Sequence, residues 1–173
     1  MTHLPVKSKF SESLGDSRYL SVDVEKEVTI GDHDRTAKRA LLSATRWLRL
    51  VSQMDDIDAA VERAATLKPT QYKVHVGGNW FISVNEELPF VDIRRWYTKG
   101  TETVFRPSLT GISLTFAQWN ALKEVSKLDV MKKEFEDVEV EEEEDNGCVH
   151  LSQRDQEQCA ECGPCGTQPF ESR

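Results

Sequence analysis

Two groups of residues have the types and spacing to do chemistry. The first is Cys148-x-His150 followed by Cys159-x-x-Cys162-x-x-Cys165. Thiolates two residues apart suit tetrahedral zinc, and the last three cysteines with either Cys148 or His150 would complete four ligands. The surroundings argue the other way. The segment is polar, contains Gly and Pro, and offers little apolar support for a metal shell. Free thiols in an unstructured, reduced tail explain the same residues. A thioredoxin-like redox motif would need an adjoining βαβ unit, which is absent. The second group is Arg94-Arg95-Trp96-Tyr97, with Lys99 and Arg106 further on. Cations interleaved with flat rings either follow a polyanion and stack its bases, or form an ordinary solvated strand edge.

No third chemistry is visible. There is no phosphate-binding glycine loop, no nucleophile elbow and no His-Glu-x-x-His. The histidines, at 3, 33, 75 and 150, are scattered. His75 lies in a strand pattern and reads as structural. An enzyme is not expected, and no cofactor beyond the candidate zinc is implied.

The chain has 173 residues, enough for one domain or two small ones. No run of 18 apolar residues exists, so no membrane span is expected. The start, Met-Thr-His-Leu-Pro, lacks the basic-then-apolar pattern of a secretory signal, which leaves a nuclear or cytosolic reducing compartment. The net charge of −8 is unevenly spread. Residues 1–127 hold 18 Lys/Arg and 16 Asp/Glu (+2), and residues 128–173 hold 4 and 14 (−10). A body so close to neutral is by charge alone a weak phosphate binder. Nine of the twelve residues from Glu134 to Asp145 are acidic. Blocks of like charge stay disordered, so 134–173 reads as an acidic, cysteine-containing tail. Such a run either solubilises the protein or occupies a basic groove as a nucleic-acid mimic.

The elements that must position the cationic group are legible around it. Tyr72-Lys-Val-His-Val76 and Trp80-Phe-Ile-Ser-Val84 alternate with period two around Gly77-Gly78-Asn79, a hairpin signal. A third strand, Phe90 to Tyr97, follows Pro89. A turn-rich segment leads to a fourth at Gly111-Ile-Ser-Leu114, and a helix opens at Thr115. That helix carries Trp119, Leu122, Val125, Leu128, Met131 and Phe135 on one face. The segment is a ββββα unit of the α+β class.

The same wording occurs earlier in the chain. Gly15-Asp-Ser-Arg18-Tyr-Leu-Ser-Val22 lines up with Gly77-Gly-Asn-Trp80-Phe-Ile-Ser-Val84 at a constant offset of 62 (77 − 15 and 84 − 22). Val28-Thr-Ile30 sits where Val91-Asp-Ile93 sits. Arg46-Trp47-Leu-Arg-Leu50 lines up with Gln118-Trp119-Asn-Ala-Leu122 at offset 72 (118 − 46). An internal repeat follows. The first copy has a degenerate third strand, Val28-Thr-Ile-Gly-Asp, and lacks the basic loop before its fourth. Its helix is expected to run from an N-cap at Ser43 to about Ala65, with Trp47, Leu50, Met54, Ile57 and Val61 on one stripe. Trp47 and Trp119, each one turn into a helix and three residues before a Leu, read as core. The expected organisation is a leader (1–9), a degenerate first ββββα copy (10–66), a linker (67–71), a second copy (72–133) and the tail (134–173).

Trp80-Phe-Ile-Ser-Val84, Val91-Asp-Ile-Arg94, and Gly111-Ile-Ser-Leu114 followed by Gln118-Trp119-x-x-Leu122 carry a family resemblance. The chain resembles the C-terminal domain of the positive cofactor four family, RNA polymerase II transcriptional coactivators that bind single-stranded DNA. The resemblance implies a nuclear, non-enzymatic protein whose partners are single-stranded or melted DNA and transcription machinery proteins. The family domain is a homodimer of ββββα units. Two fused copies therefore imply an intramolecular pseudo-dimer, as a monomer or as a homodimer of such chains. A short linker would hold the halves at an effective concentration on the order of mM.

The resemblance implies a site. Arg94 matches the arginine after the family's Asp-Ile pair, a backbone contact there. Tyr97 falls where the family has a DNA-contacting aromatic, and Arg106 matches a basic residue before the Pro. Arg95, Trp96 and Lys99 join them, with Arg18 and Lys26 from the first copy. Trp80 stands where the family has arginine, to stack a base or to pack. Other family positions are not basic: Asn85-Glu-Glu-Leu-Pro89 replaces a lysine-rich loop, Leu109-Thr110 a basic pair, and Asp23, Glu25 and Glu27 add negative charge. These departures imply weaker, more salt-sensitive binding, or a different role in which the fold is an interaction scaffold that docks partners through the acidic tail.

Overall fold

The computed structural model describes residues 8–99 and 103–140. Within them the protein is α+β, with two four-stranded antiparallel sheets and four helices. The first sheet has the order β1 (Ser8–Gly15), β2 (Arg18–Asp23), β3 (Val28–Asp32), β4 (Arg39–Leu42). Helices α1 (Ala44–Ser52) and α2 (Met54–Ala65) follow. The second sheet has the order β5 (Gln71–Gly77), β6 (Trp80–Asn85), β7 (Leu88–Thr98), β8 (Phe105–Thr115), followed by α3 (Phe116–Ser126) and α4 (Asp129–Phe135).

The hairpin turns form where glycine or a short polar residue tolerates positive φ. Gly78 and Asn79 have φ of 60° and 62°, the two left-handed positions of a tight turn between Gly77 and its partner Trp80. Asp16, with φ 51°, makes the corresponding bend between Gly15 and Arg18. Each main helix has a hydroxyl N-cap: Ser43 Oγ accepts from Arg46 N–H, and Thr115 Oγ accepts from Gln118 N–H. The Gln118 side chain accepts from Thr115 N–H in return, completing a capping box.

Neither helix runs on as one rod. The expected span from Ser43 to Ala65 breaks at Gln53, whose backbone sits at φ −99°, ψ 1°, with its N–H on Arg49 and Leu50 carbonyls. The second breaks between Ser126 and Asp129, and Leu128 is exposed rather than on the stripe. Each break lets a short second helix bend so that its apolar residues, Met54, Ile57 and Val61 or Met131 and Phe135, reach the core. Two strands also exceed their expected forms. β3 is regular and pairs along its length with β2. β8 begins at Phe105, inside the segment read as turns. Pro107 is accommodated because β8 is the edge strand of its sheet.

The helices bridge the two sheets, and α1 also touches β4 of its own sheet. α1 and α2, which follow the first sheet, pack on β5, β6 and β7 of the second. α3, which follows the second sheet, packs on β1 of the first as well as on β7 and β8. The first turns of α1 and α3 make matching contacts. The Arg46 guanidinium lies against Gly78, where a Cβ would collide with it. Gln118 Nε2 donates to Gly15 O at 3.5 Å and to Asp16 Oδ2 at 3.3 Å. Each helix thus grips the first hairpin turn of the other sheet. Leu20, Val22 and Ile30, Ile82, Val84 and Ile93, with Trp47, Trp119 and Leu122, close into one continuous core. The Trp119 indole N–H is satisfied inside it by Asp58 Oδ1 at 2.8 Å, and Asp58 also pairs with Lys123.

Candidate nucleic-acid interface

β7 and β8 outrun their sheet. The last β6–β7 pair is Trp80 with Arg95, whereas β7–β8 pairing continues through Trp96 with Pro107, Tyr97 with Arg106 and Thr98 with Phe105. A two-stranded ribbon therefore projects past β6. Its base is irregular: Ser108, Leu109 and Thr110 stand opposite Arg95 alone. Ser108 Oγ ties this bulge down by donating to Arg95 O at 2.6 Å. Trp96 N–H donates to Asn79 O at 2.8 Å, which fixes the ribbon to the β5–β6 turn. Gly111 permits the close approach below the bulge. A Cβ there would lie 2.5 Å from Ile93 O and 2.7 Å from Arg94 Cα.

Strand alternation divides the cationic and aromatic residues between the two ribbon faces. Trp96 and Phe105 point to the side away from the helices. There they pack with Phe81, whose ring centre is 6.1 Å from Trp96 and 5.8 Å from Phe105. Lys73, only 2% exposed, places its ammonium 3.4 Å from the Trp96 ring centre. This small outer core welds ribbon to sheet. Arg95, Tyr97, Lys99 and Arg106 take the opposite face, and all four are exposed. Tyr97 and Arg106 are directly cross-strand, so a ring and a cation lie side by side with further cations before and behind.

The expected site residues therefore do not form one set. Two are corrected. Trp80 and Trp96 are buried, at 5% and 6%, and neither can stack a base. Trp80 belongs to the central core, and Trp96 is held by Lys73 and Phe81. Arg94 lines a cleft of about 430 Å³ with Lys73, Ser83, Asp92, Trp96 and Ser113. Its guanidinium is engaged there, by Asp92 at 3.1 Å and by Ser108 O at 2.9 Å, and Ser113 Oγ donates to the same carboxylate at 2.8 Å. Arg18 is likewise engaged, by Asp32 and by Ser113 O. The Asp32 carboxyl is held below its ordinary pKa by the Ser17 hydroxyl, the Asp34 and Arg35 N–H groups and the Arg18 charge, against the opposing effect of burial. Lys26 lies in the β2–β3 turn, at the opposite end of β2 from Arg18, with φ 63° and its N–H on Asp23 O. The two first-sheet cations are not brought together.

One basic feature was missed by sequence reading. The first half was expected to lack a basic loop before its fourth strand. The β3–β4 loop instead exposes Arg35, Lys38 and, at the start of β4, Arg39. The cysteine-histidine set and the acidic run from Glu141 onward lie outside the described residues. Among the described residues no helix is long and apolar enough to cross a membrane.

Comparison with known families places this ribbon inside a match. Residues 81–125, from β6 through α3, carry a domain of the family described as Transcriptional Coactivator p15 (PC4). No curated protein and no solved structure matches the chain.

Proposed function

We propose that this chain binds single-stranded or melted DNA as a coactivator-type protein of transcription, without enzymatic activity. The observation that carries this reading is the exposed face of the β7–β8 ribbon, Arg95, Tyr97, Lys99 and Arg106, which lies within the matched segment. Its chemistry suits a single strand. The cations follow phosphates, and Tyr97 offers a ring to a base without regard to sequence. The welded aromatic face beneath holds the ribbon rigid, so little order has to be gained on binding.

The helices that bridge the two sheets and the matching grips of Arg46 and Gln118 support a second element of the proposal. The two halves are tandem copies of one ββββα unit, closed on each other as an intramolecular pseudo-dimer, with the acidic tail following. Partners are then single-stranded DNA and proteins of the transcription machinery, in the nucleus. A scaffold reading, with docking through the acidic tail, is favoured by the internal neutralisation of Arg18 and Arg94 by Asp32 and Asp92.

Fluorescence anisotropy with labelled oligo(dT) and a duplex of matching length separates the two. Salt-sensitive preference for the single strand is expected, with a loss of at least about tenfold on combining Arg95→Glu and Arg106→Glu. Unchanged affinity in that variant rejects the ribbon. Absence of oligo(dT) binding, also after deletion of residues 141–173, selects the scaffold. This deletion leaves buried Phe135 and half-buried Val138 in place.

A further inference from the structure

The second sheet seals an aromatic pair that the first sheet leaves open. Register makes the two positions comparable. Leu20 pairs with Ile30 as Ile82 pairs with Ile93, each in its own β2–β3 or β6–β7 ladder. One step along the ladder, Tyr19 stands where Phe81 stands. His33, three residues after Ile30, stands where Trp96 follows Ile93. In the second sheet Phe81 and Trp96 meet edge-on, at 70°, beneath Lys73 and Phe105. In the first sheet Tyr19 and His33 stack face to face, with ring centres 4.3 Å apart and planes at 21°. His33 is exposed.

The local sequence builds this stack. Gly31, opposite Tyr19 in the ladder, has no side chain, and the Tyr19 ring lies flat across it; a Cβ there would come within 2.8 Å of the ring. His33 N–H donates to Ser17 O at 2.9 Å, which turns the chain back over β2. Asp32 Oδ1 accepts from the N–H groups of Asp34 and Arg35, at 2.8 and 3.2 Å, and fixes the loop that follows. Lys38 N–H closes the loop on Arg35 O at 2.8 Å. Arg35 and Lys38 on the loop and Arg39 at the start of β4 are all exposed, against the exposed carboxylate of Asp34; of the other nearby carboxylates, Asp32 is buried and paired with Arg18, and Asp16 accepts from Gln118. The result is an exposed ring backed by a second ring and flanked by three cations.

We infer that the Tyr19–His33 stack with Arg35, Lys38 and Arg39 is a second single-strand binding site, separate from the ribbon. A base stacks on the outer face of His33, and the loop cations hold the adjoining phosphates. The inference rests on the single-strand reading above, but uses residues outside the matched segment. A positively charged, ring-bearing loop complements a polyanion with exposed bases and has no comparable fit to a neutral or cationic partner.

The test counts sites on the full chain. Native mass spectrometry and anisotropy would use oligo(dT) of roughly six nucleotides, a length within known single-strand site sizes. Wild type is expected to bind two oligonucleotides. Combining Arg95→Glu with Arg106→Glu should leave one, which Arg35→Glu with Lys38→Glu then removes. In the ribbon-deficient background, His33→Ala should weaken the remaining site by about fivefold or more, and His33→Phe should restore it, since stacking needs a ring rather than an imidazole. These positions are exposed, and an unchanged thermal unfolding midpoint confirms that folding is intact. One oligonucleotide on wild type and none on the ribbon variant overturns the inference and leaves the ribbon reading standing. A remaining site indifferent to His33, Arg35 and Lys38 also overturns it. No oligonucleotide on wild type removes both readings.

Discussion

Replacing Trp96 and Tyr97 by alanine, in separate variants, should break different things although the residues are adjacent. Trp96 is 6% exposed and Tyr97 is 44% exposed. Truncating a buried tryptophan costs about 3–5 kcal/mol, from lost transfer energy and the cavity left behind. At Trp96 the loss of the Lys73 ammonium's aromatic partner adds about 1–2 kcal/mol. Trp96→Ala should therefore lower the denaturant midpoint strongly. Tyr97 projects from the far side of the ribbon, so Tyr97→Ala should change stability by less than about 1 kcal/mol. Its cost should appear in binding. Loss of one base–aromatic stack is worth roughly 1–3 kcal/mol, or about five- to 160-fold in oligo(dT) affinity. Tyr97→Phe should retain most of it. Urea unfolding followed by anisotropy titration of the same samples reads both quantities. Wild-type binding by Tyr97→Ala, or a Trp96→Ala variant as stable as wild type and deficient only in binding, would refute these assignments.

Three further expectations concern the frame around the site. Gly111→Ala should destabilise by about 2 kcal/mol or more, because its Cβ would press on the Ile93 carbonyl and the Arg94 backbone; a midpoint within error of wild type would contradict the close approach. Asp58→Ala leaves the buried Trp119 indole N–H without its acceptor and should cost about 1–3 kcal/mol in thermal or urea unfolding. Burial, with the Asp56 charge second, pushes the Tyr72 hydroxyl from 10.0 up to about 12. The folded state thus keeps this proton after the unfolded chain has released it. The associated stability is intact below pH 10 and is lost as pH rises toward 12, and Tyr72→Phe should remove that part of the alkaline slope.

Local signals in the chain were read well where local physics decides them. Gly77-Gly78-Asn79 marks a turn because φ must be positive there, and Ser43 and Thr115 mark helix starts because a hydroxyl must meet an orphan N–H. Trp47 and Trp119 were legible as core from spacing alone. What escaped was set by partners distant in sequence. Trp96 shares strand parity with Asp92 and Arg94, so alternation assigns it to a polar face. It is buried because Lys73, Phe81 and Phe105 meet beneath the ribbon. The overhang of β7 and β8 depends on where β6 stops, which no pattern within β7 records. The engagement of Arg18 and Arg94 by carboxylates also depends on cross-strand register. The basic β3–β4 loop is not legible by repeat matching, because it shares no wording with the segment before the second half's fourth strand. Arg35, Lys38 and Arg39 replace its sense without its letters.

The central claim is that the ribbon's exposed cations hold a phosphate backbone, and ionic strength tests it most directly. Each phosphate neutralised on a single strand contributes about −0.7 to the slope of log K against log salt. In a chain that already carries Arg35→Glu and Lys38→Glu, converting Arg95, Lys99 and Arg106 together to alanine should therefore make the oligo(dT) slope shallower by about 2. A slope equal to that of the parent chain would mean that these side chains touch no phosphate, and would contradict the account.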